Sequence, residues 1–213
     1  MSNSNLAVPE LAAIQIDGIT RQSFILRGAL AAGAVYGVST VGPFVKEAFA
    51  QDEEGGDIGI LNFALTLEYL EAAYYKQGLE QVSDLDGDAN ELATLIQKDE
   101  DEHVKGLMAG ITDAGGEPVA APEVDFGDAF ADQAAFLKLA QTLEDTGVSA
   151  YNGAGPAIQS KEILATAGSI VQVEARHAAA IRLQNDAAPT ESAFDKPLDM
   201  QQVLDAVKPF VKS

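Results

Sequence analysis

The chain of 213 residues contains no cysteine and no tryptophan. Without cysteine it can form no disulfide, no iron–sulfur cluster, no rubredoxin-type iron–cysteine centre and no cysteine-ligated zinc. Aromatic residues are only 7% of the total. Pleated strands favour aromatic and β-branched residues, so a composition led by Ala and Leu points to helices rather than a β-sandwich. Bases are also scarce, at 13 against 33 acids, for a net charge of −20. In residues 1–50 the two signs cancel (Glu10, Asp17 and Glu47 against Arg21, Arg27 and Lys46), which leaves 30 acids and 10 bases from Gln51 onward. Such a surface repels phosphate backbones and anionic lipid, so nucleic acid is excluded as a partner. Histidine is the last scarcity. There are two, His103 and His177, too few for an oxygen carrier of the haemerythrin type, and no nucleophile elbow accompanies them.

What is present begins with an organised N-terminus. Thr20-Arg21-Gln22-Ser23-Phe24-Ile25-Leu26-Arg27 precedes an apolar run from Gly28 to Val45, and the small-x-small triplet Ala48-Phe49-Ala50 follows. Basic, apolar and small-residue regions in this order describe a secretory signal. The basic part resembles a twin-arginine (Tat) signal but carries Gln22 where the second arginine would stand. Residues 1–50 are thus read as an export signal cleaved after Ala50. The alternative is a retained anchor over residues 28–45, the only circumstance in which a membrane would be a partner. The expected location is outside the cytoplasm: periplasmic, cell-surface or secreted.

From residue 51 the pattern is helical. Helix A is expected over Asp57–Val82, opened by an acidic cap at Asp57 and carrying Leu61, Leu65, Ala72 and Leu79 along one side. A polar turn, Ser83–Gly87, leads to helix B, Asp88–Ala114, stopped by Gly115-Gly116. Residues 117–127, with Pro118, Pro122 and Gly127, make a longer connection. Helix C follows over Asp128–Asn152, then the break Gly153–Pro156, then helix D over Ser160–Asn185. Residues 186–213 form a tail with a short helix over Asp199–Lys208. The predicted fold is all-α: two helical hairpins joined by a long B–C crossover, an antiparallel four-helix bundle spanning residues 51–185.

Each histidine has a glutamate three residues before it, Glu100 before His103 and Glu174 before His177. At that spacing both side chains share a helix face and can grip one metal. Helices A and C echo each other too: Thr66-Leu67-Glu68 is matched by Thr142-Leu143-Glu144, and each glutamate is followed seven residues on by a tyrosine, Tyr75 and Tyr151. The glutamate–tyrosine echo is offset by 76 residues and the glutamate–histidine echo by 74, which marks an internal repeat. For Glu68 and Glu100 to stand level on antiparallel helices their turn must centre near residue 84; for Glu144 and Glu174, near residue 159. Both fall at or beside the expected turns, so four carboxylates arrive at one level of the bundle. Inward-facing carboxylates repel in a low dielectric, and two divalent cations would offset them.

Glu-x6-Tyr, Glu-x-x-His, Glu-x6-Tyr, Glu-x-x-His over residues 57–185 resembles the rubrerythrin branch of the ferritin-like superfamily, in an exported form. The resemblance implies a dinuclear centre of two iron ions, or alternatively two manganese ions, with Glu68, Glu100 and His103 serving one metal and Glu144, Glu174 and His177 the other, carboxylates bridging. It implies that Tyr75 and Tyr151 donate hydrogen bonds to ligand carboxylates. Rubrerythrins carry a further glutamate one turn after the helix C ligand; Gly147 stands there, and Glu71 occupies the corresponding place on helix A. The cysteine-rich electron-entry domain of rubrerythrin is missing, so any reductant comes from another molecule. The implied activity is oxidation chemistry with dioxygen, hydrogen peroxide or ferrous iron, of ferroxidase, peroxidase or manganese-catalase type. A non-catalytic iron-binding or stress-protective protein and a purely structural bundle are the alternatives. A homo-oligomer is left open.

Overall fold

The structure, a computed structural model, describes residues 56–212. The expected export signal or anchor lies outside the described residues. Five α-helices and no strand occur among the described residues: α1 Asp57–Gln81, α2 Gly87–Asp113, α3 Gln133–Ala154, α4 Lys161–Gln184 and α5 Met200–Val207. The first four are the expected helices A to D, each within a few residues of the predicted bounds. The largest difference is at α3, which starts at Gln133 rather than at Asp128. Asp132 is extended and its carboxylate accepts from the Ala135 amide, so it caps the helix, while a 3-10 turn, Gly127–Phe130, occupies the residues before it.

The other boundaries have equally local causes. Asp86 caps α2 through the Ala89 amide and Ser160 caps α4 through the Ile163 amide. At the end of α2, Gly115 adopts φ +84°, a left-handed conformation that costs glycine little, and the Gly116 amide returns to the Ile111 carbonyl. Asp57 does not cap α1. Gly56 is the capping residue and makes no side-chain bond, whereas the Asp57 carboxylate accepts from the Gln159 and Ser160 amides at 2.7 Å each. The acid expected to start α1 therefore ties that start to the α3–α4 turn.

This tie, together with Tyr74 Oη donating to the Phe136 carbonyl at 2.6 Å, sets the direction of the bundle. The start of α1 meets the end of α3 and the end of α1 meets the start of α3, so the two run antiparallel. At the second contact Gly78 lies so close to the Phe136 ring that a Cβ would stand 2.2 Å from it. The tail returns to the bundle. The Leu198 amide donates to the Ser149 carbonyl, α5 buries Val203, Leu204 and Val207, and Val211 pairs with Val124 of the crossover. No helix among the described residues is long and apolar enough to cross a membrane.

Two apolar clusters fill the interior. One gathers Leu70, Tyr74, Ile96, Phe136, Leu143 and Ile181 with α5, and the other gathers Leu61, Leu65, Leu107, Ile111 and Ile170. Along α2 the first contributes Ile96 and the second Leu107; along α4 they contribute Ile181 and Ile170. Between these positions lie Glu100 and His103, and Glu174 and His177. The polar residues thus form a layer sealed above and below by packed side chains, each worth about 1.5–3 kcal/mol for a buried Leu, Ile or Phe.

Candidate metal centre

Every helix of the bundle sends a carboxylate into this layer. Glu68, Glu100, Glu144 and Glu174 are all fully buried, and Glu71 is nearly so. The four predicted glutamates and both histidines form two groups whose donor atoms lie within 4.8 Å of one another: Glu68, Glu100, His103 and Glu174, and Glu100, Glu144, Glu174 and His177. Glu100 and Glu174 belong to both. The division into three residues per metal thus becomes two overlapping sets of four, with the Glu-x-x-His carboxylates shared between them and Glu68 and Glu144 outermost.

The contacts inside the layer suit a set of metal ligands. His103 Nδ1 lies 3.2 Å from Glu68 Oε2, 3.1 Å from Glu100 Oε2 and 3.1 Å from Glu174 Oε1. One nitrogen has one hydrogen or one lone pair, so three acceptors around it cannot all be satisfied by donation. His177 Nδ1 is 2.9 Å from Glu100 Oε1, yet neither atom makes a hydrogen bond. Glu144 Oε2, both oxygens of Glu174 and Glu71 Oε2 are likewise buried with no partner. Buried polar atoms are rarely orphaned. Six orphans in one layer, all able to present lone pairs, fit a pair of hard cations.

Electrostatics agree. Burial, then repulsion from Glu174, pushes the carboxyls of Glu71, Glu100 and Glu144 well above the ordinary range, and burial with repulsion from Glu68 raises Glu174. Glu68 is the exception: burial acts to raise it, but hydrogen bonds from His103, Glu100 and Tyr151 bring it below its usual value. Burial acts to lower His103, yet the close carboxylates of Glu100, Glu174 and Glu68 push it up to about 12. The surrounding carboxylates thus favour the charged form of His103.

The tyrosines work across the repeat. Tyr75 Oη donates to Glu144 Oε1 at 2.6 Å and Tyr151 Oη donates to Glu68 Oε1 at 2.5 Å. Both are buried, and burial followed by the adjacent carboxylate raises their phenolic groups, so they remain donors. Each tyrosine follows its own glutamate by seven residues, yet its hydroxyl is delivered to the glutamate of the other half.

Two participants were not among the predicted site residues. Asp99 Oδ2 lies 3.3 Å from His177 Nε2 at the solvent edge of the layer, its side chain 35% exposed. A carboxylate there holds the Nε2 hydrogen and leaves Nδ1 free to bind metal. Sequence alone shows only one acid among the four of Asp99–Glu102. His103 has no such partner from α4, because Val173 stands where the repeat would place it. The second participant is Glu71, which points toward Gly147.

A helical bundle with a buried carboxylate–histidine cluster built from two symmetry-related hairpins defines a class, the ferritin-like metal-binding proteins. The chain matches the ferritin-like domain over residues 56–186, more than half of its length, and belongs to that family. A search of curated proteins finds no match.

Proposed function

We propose that this protein is an exported, rubrerythrin-type dinuclear metalloprotein that holds two iron ions, or alternatively two manganese ions, and acts on dioxygen, hydrogen peroxide or ferrous iron. The observation that carries this reading is the overlap of two four-residue ligand groups through Glu100 and Glu174. Shared carboxylates bring two cations together, and oxygen-rich donor sets with one imidazole each suit hard, redox-active iron or manganese. Bound there, the ions would supply redox and Lewis-acid chemistry.

The chain's own residues do the rest. Tyr75 and Tyr151 hold the outer carboxylates of Glu144 and Glu68 in place. Asp99 sets the tautomer and ring angle of His177. The apolar layers on either side exclude bulk water and so strengthen every charge interaction within. Among the six ligands His103 is the most exposed, at 11%, which makes its edge of the layer the approach for a small substrate. The location outside the cytoplasm rests on Arg21, the apolar run Gly28–Val45 and Ala48-Phe49-Ala50.

The test is metal analysis of protein reconstituted with Fe(II) or Mn(II), followed by peroxide and ferrous-ion consumption. Two ions per chain with turnover are expected. Two retained ions without turnover would make the protein a sequestering one, and fewer than two would overturn the dinuclear reading.

A further inference from the structure

The two halves of the bundle depart from their repeat one turn after the glutamates of α1 and α3. Three residues after Glu68 stands Glu71; three residues after Glu144 stands Gly147. Glu71 is 3% exposed and its Oε2 has no hydrogen-bond partner. A Cβ built on Gly147 would lie 3.0 Å from Glu71 Oε1 and 3.1 Å from Glu174 Oε2, with Glu71 Oε2 at 3.6 Å. The Glu71 carboxylate therefore crosses from α1 to the bare backbone of α3 and rests beside Glu174, in space that a side chain at position 147 would narrow. Nothing in the packing of two apolar clusters calls for a carboxylate there. A glutamine or methionine would fill the same volume without the desolvation cost of a charge.

The side of the layer is also defined. Glu174 Oε1 faces His103, so Oε2, next to Glu71, is its other oxygen, turned to α3, where Glu144 stands one turn before Gly147. The geometry points to Glu71 as an additional ligand of the ion held by Glu100, Glu144, Glu174 and His177, delivered from α1 through the gap that Gly147 leaves in α3. The count of charges gives this ligand a purpose. Glu68, Glu100, Glu144 and Glu174 balance two divalent ions, and a fifth carboxylate balances one divalent and one trivalent ion. Glu71 thus favours the more highly charged form of the ion it reaches and makes the two metal positions unequal. The inference rests on the dinuclear reading above.

The experiment uses the full chain, with Co(II) alone as a spectroscopic probe of each position and Fe for the potential. In wild type, two Co(II) ions bind. In Glu71→Gln, which keeps the volume and removes the charge, both still bind, one of them about tenfold or more weakly. The visible Co(II) absorption of that ion changes, and the midpoint potential of the iron-loaded protein rises. Gly147→Ala, which leaves Glu71 present but brings a methyl against its carboxylate and against Glu174 Oε2, the oxygen turned to the same ion, weakens that ion more than the other. If wild type binds two ions and both variants match it in affinity, spectrum and potential, Glu71 is only a buried acid and the inference fails alone. Fewer than two ions in wild type would overturn both readings together.

Discussion

Tyr75 of α1 donates to Glu144 of α3, while Tyr151 of α3 donates to Glu68 of α1. The two bonds are a reciprocal pair, one across each side of the same layer, and they follow from the antiparallel course of the helices. On antiparallel helices the two offsets point opposite ways, and each long tyrosine side chain, leaning back toward its helix N-terminus, reaches the glutamate of the other helix. Replacing either tyrosine by Phe removes a hydrogen bond to a carboxylate and should cost the metal-loaded protein about 1.5–3 kcal/mol, with two ions still bound. Thermal unfolding of both single variants would check this. A loss in one variant only would mean that the pair is not reciprocal in solution.

Sharing of Glu100 and Glu174 predicts unequal consequences for the four glutamates. Alanine at either shared position should remove both ions, whereas Glu68→Ala or Glu144→Ala should remove one. Metal content after dialysis reads the difference directly. If all four variants lose metal equally, the overlap seen here does not organise binding.

Stability should depend on pH in a direction set by the buried acids. The carboxyls of Glu71, Glu100, Glu144 and Glu174 are raised in the folded protein, and His103 is raised to about 12. In each case the folded state binds protons that the unfolded state releases. For the acids this contribution is complete below their unfolded values and is lost as pH rises through their folded ones. For His103 it is complete below its unfolded value and is lost only as pH climbs toward 12. Glu68, which is lowered, acts oppositely and contributes less as pH falls. The metal-free protein should therefore melt at a lower temperature at about pH 8 than at about pH 5, and bound metal should abolish or reverse that slope. A metal-free melting temperature that climbs over this range would contradict the assignment of protons to the layer.

Asp99→Ala should weaken one ion and not the other. Loss of the carboxylate behind a histidine ligand typically lowers metal affinity about 10–100-fold. Among the described residues only His177 has such a partner, so the effect belongs to the ion it serves. Titration with Co(II), resolving two binding steps, separates them.

Gly153→Ala tests the tail. A Cβ there would stand 1.9 Å from the Leu198 carbonyl oxygen, backbone that cannot rotate away. The strain, about 1–3 kcal/mol for overpacking, should lower the melting temperature and make the segment around Leu198 sensitive to protease. An unchanged protease pattern would show that the tail tolerates displacement from α3.

Much of this protein is legible from its residues alone, because the relevant rules are local. Helical periods and the stop at Gly115-Gly116 involve residues within one or two turns of each other. The Glu-x-x-His pairs and the Glu–Tyr echo are likewise spacings along one helix, and hairpin symmetry alone brings four carboxylates level. That is why all eight predicted site residues meet in one layer. What sequence could not supply are relations between helices. The start of α3 was misplaced because Asp132, one of several acids near Asp128, becomes a cap only through its extended backbone. Asp57 looks like a cap and is instead a strap, since its amide partners lie more than a hundred residues away. The crossing of each tyrosine to the other half, the sharing of Glu100 and Glu174, the pairing of Asp99 with His177, and the seating of Glu71 against Gly147 all depend on lateral offsets between packed helices. Helical spacing determines which face a side chain occupies, but only the packing of one helix on another decides which atom it meets there.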